Sequence, residues 1–180
     1  MRSIATLPAP LPGPSAGGSS WQIDPAHSHV EFAVRHLMIS TVKGAFGDVR
    51  GAVWVDESDA RTVLVDVTIQ VASIDTRQEQ RDAHLRSADF FDAARFPTIT
   101  FQSVRVEPAG RRTTVLGRLS LHGVTREIAV PVDVQITDTA LVATGEFIVN
   151  RGDYAMNYNS LLNPIGNEVR VAFTFRARVP

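Results

Sequence analysis

From Trp21 to the C-terminus, apolar and polar residues alternate with a period of two in run after run, and that period restricts the chain to strands. Val63, Val65, Val67, Ile69 and Val71 share one face of such a run, and Thr62, Leu64, Asp66, Thr68 and Gln70 share the other. The last segment repeats the pattern, with Val169, Val171, Phe173, Phe175, Ala177 and Val179 set against Glu168, Arg170, Ala172, Thr174, Arg176 and Arg178. Each run reads as a strand with one dry and one wet face. The first strand is expected over 22–36, with Val30, Phe32, Val34 and His36 on the apolar face and His27, His29, Glu31 and Arg35 opposite. Further strands are expected at about 42–56, 98–106, 113–121, 124–137 and 140–150. Pro131 falls on the polar face of the 124–137 strand and signals an edge, a bulge or a bend. His122-Gly123 supplies a tight turn.

This reading gives an all-β chain of eight strands, mostly consecutive and therefore antiparallel. Eight long strands with one dry face each suit a closed barrel, which removes exposed edges; a two-sheet sandwich is the rival. A barrel of that size is filled by side chains or holds one small ligand. One short helical insertion interrupts the strands. The stretch 76–86, TRQEQRDAHLR, favours helix, and Asp82 with Arg86 forms an i,i+4 pair. SADFFDAARFP follows, and Pro97 ends any helix there. The insertion caps a barrel mouth or is a surface connection. Residues 1–20 form a Pro/Gly/Ser-rich tail, and 21–180 form the domain.

Several functions lack their sequence signals. With no cysteine, thiolate catalysis, disulfides and cysteine-based metal sites are absent. A formal net charge of −1 gives no bulk attraction to nucleic acid or to an anionic membrane. Pro8, Pro10, Pro12 and Pro14 interrupt any apolar run of a secretory signal, and no stretch is long enough to span a bilayer, so a cytoplasmic location is expected. No nucleophile elbow, phosphate loop or dinucleotide fingerprint is present, and nothing calls for a cofactor. His27 and His29 are a possible pair of metal ligands, but spacing names no third, and no metal site is assigned. The carboxylates, among them Glu57 and Asp59, show no acid–base pairing and suit solvated turns. His36 points inward beside an apolar row, toward a backbone partner or a ligand's polar group. The 150–167 loop carries Tyr154, Met156, Tyr158, Leu161 and Leu162, and covers a binding site or packs across the barrel end.

Taken in order, WQIDPAHSHVEFAVRHLM, GAFGDVRG, SIDTRQEQRDAHLRSADFFDAARFPTITFQS, GRLSLHGVTREIAVPV, IVNRGD and GNEVRV resemble the YceI-like family of polyisoprenoid-binding proteins. The resemblance implies a lipocalin-like antiparallel barrel with a helical insertion and a long apolar pore. It places Phe32, His36, Phe101 and Phe173 along the bore, and Arg81, His84, Phe90 and Phe91 near its entrance. Val34, Met38, Ile99 and Phe175 join the candidate ligand-binding set, with Tyr154 and Met156 from the loop. His36, Arg81 or Asn150 could hold a head group. The family carries Gly after the aromatic of its NR-D-aromatic loop, where this chain has Ala155, so a different loop backbone is expected. A homodimer is plausible for the family.

The leading expectation is a carrier or store for an apolar lipid, a polyisoprenoid or isoprenoid quinone, and not an enzyme. Burying an apolar chain yields about 25 cal/mol per Å² and needs few polar contacts. The alternatives are an enzyme acting on a bound lipid, with a histidine-bound metal, and a structural or stress-response protein with a filled barrel.

Overall fold

The computed structural model describes residues 18–56 and 63–180. The described residues form eleven strands: β1 (Gly18–Ile23), β2 (His29–His36), β3 (Ser40–Phe46), β4 (Val49–Asp56), β5 (Val63–Gln70), β6 (Ile74–Asp75), β7 (Thr98–Ala109), β8 (Arg112–Leu121), β9 (Val124–Ile136), β10 (Ala140–Asn150) and β11 (Ile165–Arg178). One helix, α1 (Glu79–Arg86), lies between β6 and β7.

All pairings are antiparallel, and they form a ring. β1 pairs with β4 on one edge and with β11 on the other, so the sheet closes into an eight-stranded barrel, β1-β4-β5-β7-β8-β9-β10-β11. The sandwich alternative is thereby removed. β2, β3 and β6 continue β1, β4 and β5 end to end: β2 runs on along β11 from Thr174↔His29 to Ile165↔His36, and β3 pairs with both β2 and β6. The barrel has a front end, where β11 begins, and a back end, where β11 finishes.

The breaks in these composite strands have local causes. The strand expected over 22–36 is interrupted at Asp24, whose carboxylate accepts from Ala26 N at 3.0 Å and opens a short 3-10 turn with Pro25 at its first position. His27 therefore sits in that turn and bonds Asp24 at 2.8 Å, off the strand face it was expected to share with His29. The strand expected over 42–56 divides at Gly47-Asp48. Strand pairing begins at Gly18, so Gly18 to Ser20 join the sheet instead of the tail; the rest of the tail, with Glu57 and Asp59, lies outside the described residues. The helix is shorter than expected. Arg77 adopts φ +62° and its N–H is taken by the Asp75 carboxylate at 2.6 Å, so helical geometry starts only at Glu79.

A bulge between Ser103 and Arg105 turns Val104 outward and returns Val106 to the interior. Pro131 lies just past the last rung of a ladder. The β9–β10 pairing runs from Ile136↔Leu141 to Val132↔Gly145 and stops there, so the residue without an N–H is the first that needs none toward β10. The dry core gathers Trp21, Ile23, Val49, Val53, Val67, Val71, Ile74, Leu141 and Ala177.

Candidate functional site

The inward faces of the strands do not fill the barrel. They enclose a cavity of about 790 Å³. Val63, Val65, Val67 and Ile69 of β5 line it, as do Val169, Val171, Phe173, Phe175 and Ala177 of β11 and Val130, Val132, Val134 and Ile136 of β9. The alternation that makes these strands therefore also makes the wall. Among the described residues no Asp or Glu contributes to it.

Three phenylalanines keep the space open by lying on glycines. A Cβ at Gly44 would fall 2.5 Å from Phe32 Cζ, one at Gly117 2.3 Å from Phe101 Cζ, and one at Gly145 2.5 Å from Phe173 Cζ. Phe32 is the cross-strand partner of Gly44, and Phe173 that of Gly145; Phe101 reaches Gly117 diagonally. Each ring rests on a neighbouring strand that has no side chain there, which holds it against the wall. Phe173 also stacks on Phe175 with centroids 4.7 Å apart.

At the front end the wall becomes aromatic and polar. Phe91 meets Phe46 edge-on at 5.6 Å, and the His84 ring stands edge-on to Phe90 at 5.0 Å and to Tyr158 at 5.2 Å. His84 Nε2 bonds the Asp89 carboxylate at 2.8 Å. Arg81 lines the cavity, yet its Nε and Nη2 donate to Thr76 Oγ1 and to the Thr76 carbonyl at 2.8 and 2.9 Å. The buried Asp82 carboxylate accepts from Thr76 N and Thr76 Oγ1 at 2.9 and 2.6 Å. This knot fixes α1 across the barrel end.

The loop between β10 and β11 is held by one buried side chain. Arg151, 5% exposed, donates to four carbonyls: Met156 at 2.7 Å, Tyr158 at 2.8 Å, Gly166 at 3.0 Å and Ile165 at 3.1 Å. No carboxylate pairs with it among the described residues, and burial pulls its guanidinium below the ordinary arginine range. Ala155, where a different backbone was expected, instead takes a left-handed conformation at φ 57°, the geometry that glycine favours. The loop keeps a glycine-type turn without the glycine.

The cavity wall includes Phe32, Val34, His36, Arg81, His84, Phe90, Phe91, Ile99, Phe101, Met156, Phe173 and Phe175. It does not include Met38, Asn150 or Tyr154. Strand β2 ends at His36, so the parity that would turn Met38 inward is lost and Met38 stands at an exposed hairpin tip. Asn150 Oδ1 is used to cap the next turn, accepting from Gly152 N at 3.0 Å. Tyr154 is buried outside the bore, beside a groove shared with Arg126, Ile148 and Asp153. Burial raises its phenol above the ordinary tyrosine range. Sequence reasoning did not single out Arg151, Gln78, Ser160 or Asn163, which also face the cavity. Only the NR of IVNRGD pointed at the first. Among the described residues no three His, Asp or Glu side chains converge as metal ligands would.

Comparison with known proteins gives a consistent result. The sequence profile of the YceI-like domain matches residues 21–177. A UPF0312 protein of Staphylococcus aureus is 35% identical over 157 residues, which cover 82% of this chain and 88% of that protein. The crystal structure of Burkholderia cenocepacia BcnA superposes with a TM-score of 0.77 at 26% identity, covering 86% of this chain and 98% of BcnA. A polyisoprenoid-binding domain from Saccharophagus degradans superposes with a TM-score of 0.73 over 90% of this chain and 99% of its own; at 18% identity it shares the fold.

Proposed function

From the premise that the chain belongs to the YceI-like family, we propose that it binds a long apolar lipid, a polyisoprenoid or isoprenoid quinone, inside the barrel as a carrier or store and not as an enzyme. The observation that carries this reading is the cavity itself, about 790 Å³ bounded by apolar side chains and no carboxylate among the described residues. Such a wall offers a hydrocarbon chain burial on all sides, at about 25 cal/mol for each Å² removed from water. It offers a reaction little, because it holds no carboxylate among the described residues and both of its arginines are tied. Arg81 is anchored to Thr76, and Arg151 to four carbonyls. The polyisoprenoid-binding description of the Saccharophagus degradans domain supports the choice of cargo. The phenylalanines lying on glycines support a branched chain, since flat rings leave width for methyl groups.

The test is organic extraction of the purified protein followed by mass spectrometry, with native mass spectrometry in parallel. A stoichiometric lipid is expected, lost in a folded Phe101→Asp variant. A lipid-free protein that also fails to take up added isoprenoid overturns the reading in favour of a filled barrel.

A further inference from the structure

Two loops at the front end project large apolar side chains into solvent. The β2–β3 hairpin tip holds Met38 and Ile39 at 81% and 90% exposure, and the β10–β11 loop holds Leu161 and Leu162 at 103% and 85%. The two tips are joined: Leu37 N donates to the Pro164 carbonyl at 2.9 Å. They stand at the rim of the cavity, because His36, Ser160, Asn163 and Ile165, their immediate neighbours in the chain, line it.

The Met38–Ile39 tip is not shaped by ordinary turn chemistry. Leu37 and Met38 both adopt left-handed backbone, at φ 54° and 58°, where Asn and Gly are the residues that fit. Strain accepted in order to present apolar side chains points to a use for them. The leucine tip is braced by its own polar groups: Asn159 Oδ1 accepts from Ile165 N and Ser160 N, both at 3.0 Å, and Ser160 Oγ accepts from Leu162 N at 3.3 Å. The leucines are thus held outward.

The charge of this region narrows the partner. The segments 35–43 and 154–167 contain Arg35 and Lys43 and not one Asp or Glu, in a chain whose formal net charge is −1. Carboxylates resume just beyond them, at Asp153 in the turn before the second segment and at Glu31 and Glu168 on the strands. Around the leucines stand Asn157, Tyr158, Asn159, Ser160 and Asn163, which are polar and uncharged. Apolar tips, a polar uncharged collar and a slight excess of cations match the layers of a bilayer surface. Two narrow protrusions also suit insertion better than the flat self-complementary face of a dimer.

We propose that the Met38–Ile39 and Leu161–Leu162 tips insert into the interfacial layer of a lipid bilayer and set the cavity mouth against it. The proposal rests on the lipid-carrier reading above. The experiment is flotation of the full chain with vesicles of phosphatidylcholine and phosphatidylglycerol at 3:1. The wild type is expected to float, and Met38→Ser/Ile39→Ser/Leu161→Ser/Leu162→Ser to lose at least tenfold in vesicle partition while its extractable lipid is unchanged. Should the quadruple variant not fold, Leu162→Trp reports instead, with a blue-shifted emission quenched by brominated lipid. A wild type that carries lipid but stays off the vesicles overturns the docking and leaves the carrier reading intact. A dimer of the wild type that the four substitutions split, without vesicle binding, overturns it in favour of a second copy. A protein that floats through these tips but holds no lipid sustains the docking and overturns the carrier reading.

Discussion

At the back end of the barrel two described connections are tight: β7 and β8 are joined through Gly110 and Arg111, and β9 and β10 through a turn in which Thr137 N donates to the Ala140 carbonyl. At the front end the chain spends residues 71–97 between β5 and β7 and 151–164 between β10 and β11. Backbone strain follows the same division. Leu37, Met38, Arg77, Asp92, His122 and Ala155, which are all the described non-glycine residues at positive φ, lie in front-end connections, whereas the back end places Gly110 at φ 64°. The front end also uses a glycine, Gly123 at φ 76°, but every side chain held at positive φ among the described residues is found there. Holding them so costs stability, which the Arg151 and Asp82 networks at the same end offset.

The largest effect expected comes from removing the front-end clamp. Arg151→Met leaves four carbonyls at one buried and three partly buried bonds without their donor and is expected to cost about 3 kcal/mol, lowering Tm by roughly 6–12 °C. Urea unfolding checks it; a loss below about 1 kcal/mol would mean that the loop supports itself and that the ends differ less than described. Next comes Gly44→Ala. The atoms nearest its new methyl belong to the Phe32 and Thr76 side chains, so the Phe32 ring must swing into the bore. We expect a cost of about 1–3 kcal/mol and a lower ratio of extracted lipid to protein. An unchanged ratio would show that the bore does not depend on rings lying flat.

The smallest pair of effects sets one end against the other. Gly110→Ala, in a conformation that L side chains resist, is expected to cost about 1 kcal/mol. Ala155→Gly, made at the same kind of backbone, is expected to gain up to about 1 kcal/mol. Thermal unfolding of both variants decides; a loss from Ala155→Gly would mean that the front-end strain is not there to be relieved.

What could be read in advance follows this same division. The alternation in β5, β9 and β11 set which side chains face inward, because a strand's period is a property of its own residues. The break at Asp24-Pro25 was written locally too, as a capping residue followed by proline, but the run of alternation around it hid it. Three features could not be read this way. The contact of Phe101 with Gly117 depends on the register between two strands. Arg151 binds backbone carbonyls, which every residue carries, so no partner residue type announces it. Met38 followed the right period, but β2 ended two residues before it.

The Arg151 clamp has a consequence for the conditions in which the loop stays shut. A latch made of arginine and carboxylate opens when acid neutralises the carboxylate, and at the surface it weakens as salt rises. Here the acceptors are four peptide carbonyls with no proton to gain in ordinary buffers, and the guanidinium they hold is buried, where mobile ions screen it little. The loop between β10 and β11 is therefore fastened by a joint indifferent to acidification and to ionic strength. Opening this joint takes a group that competes for the same four carbonyls.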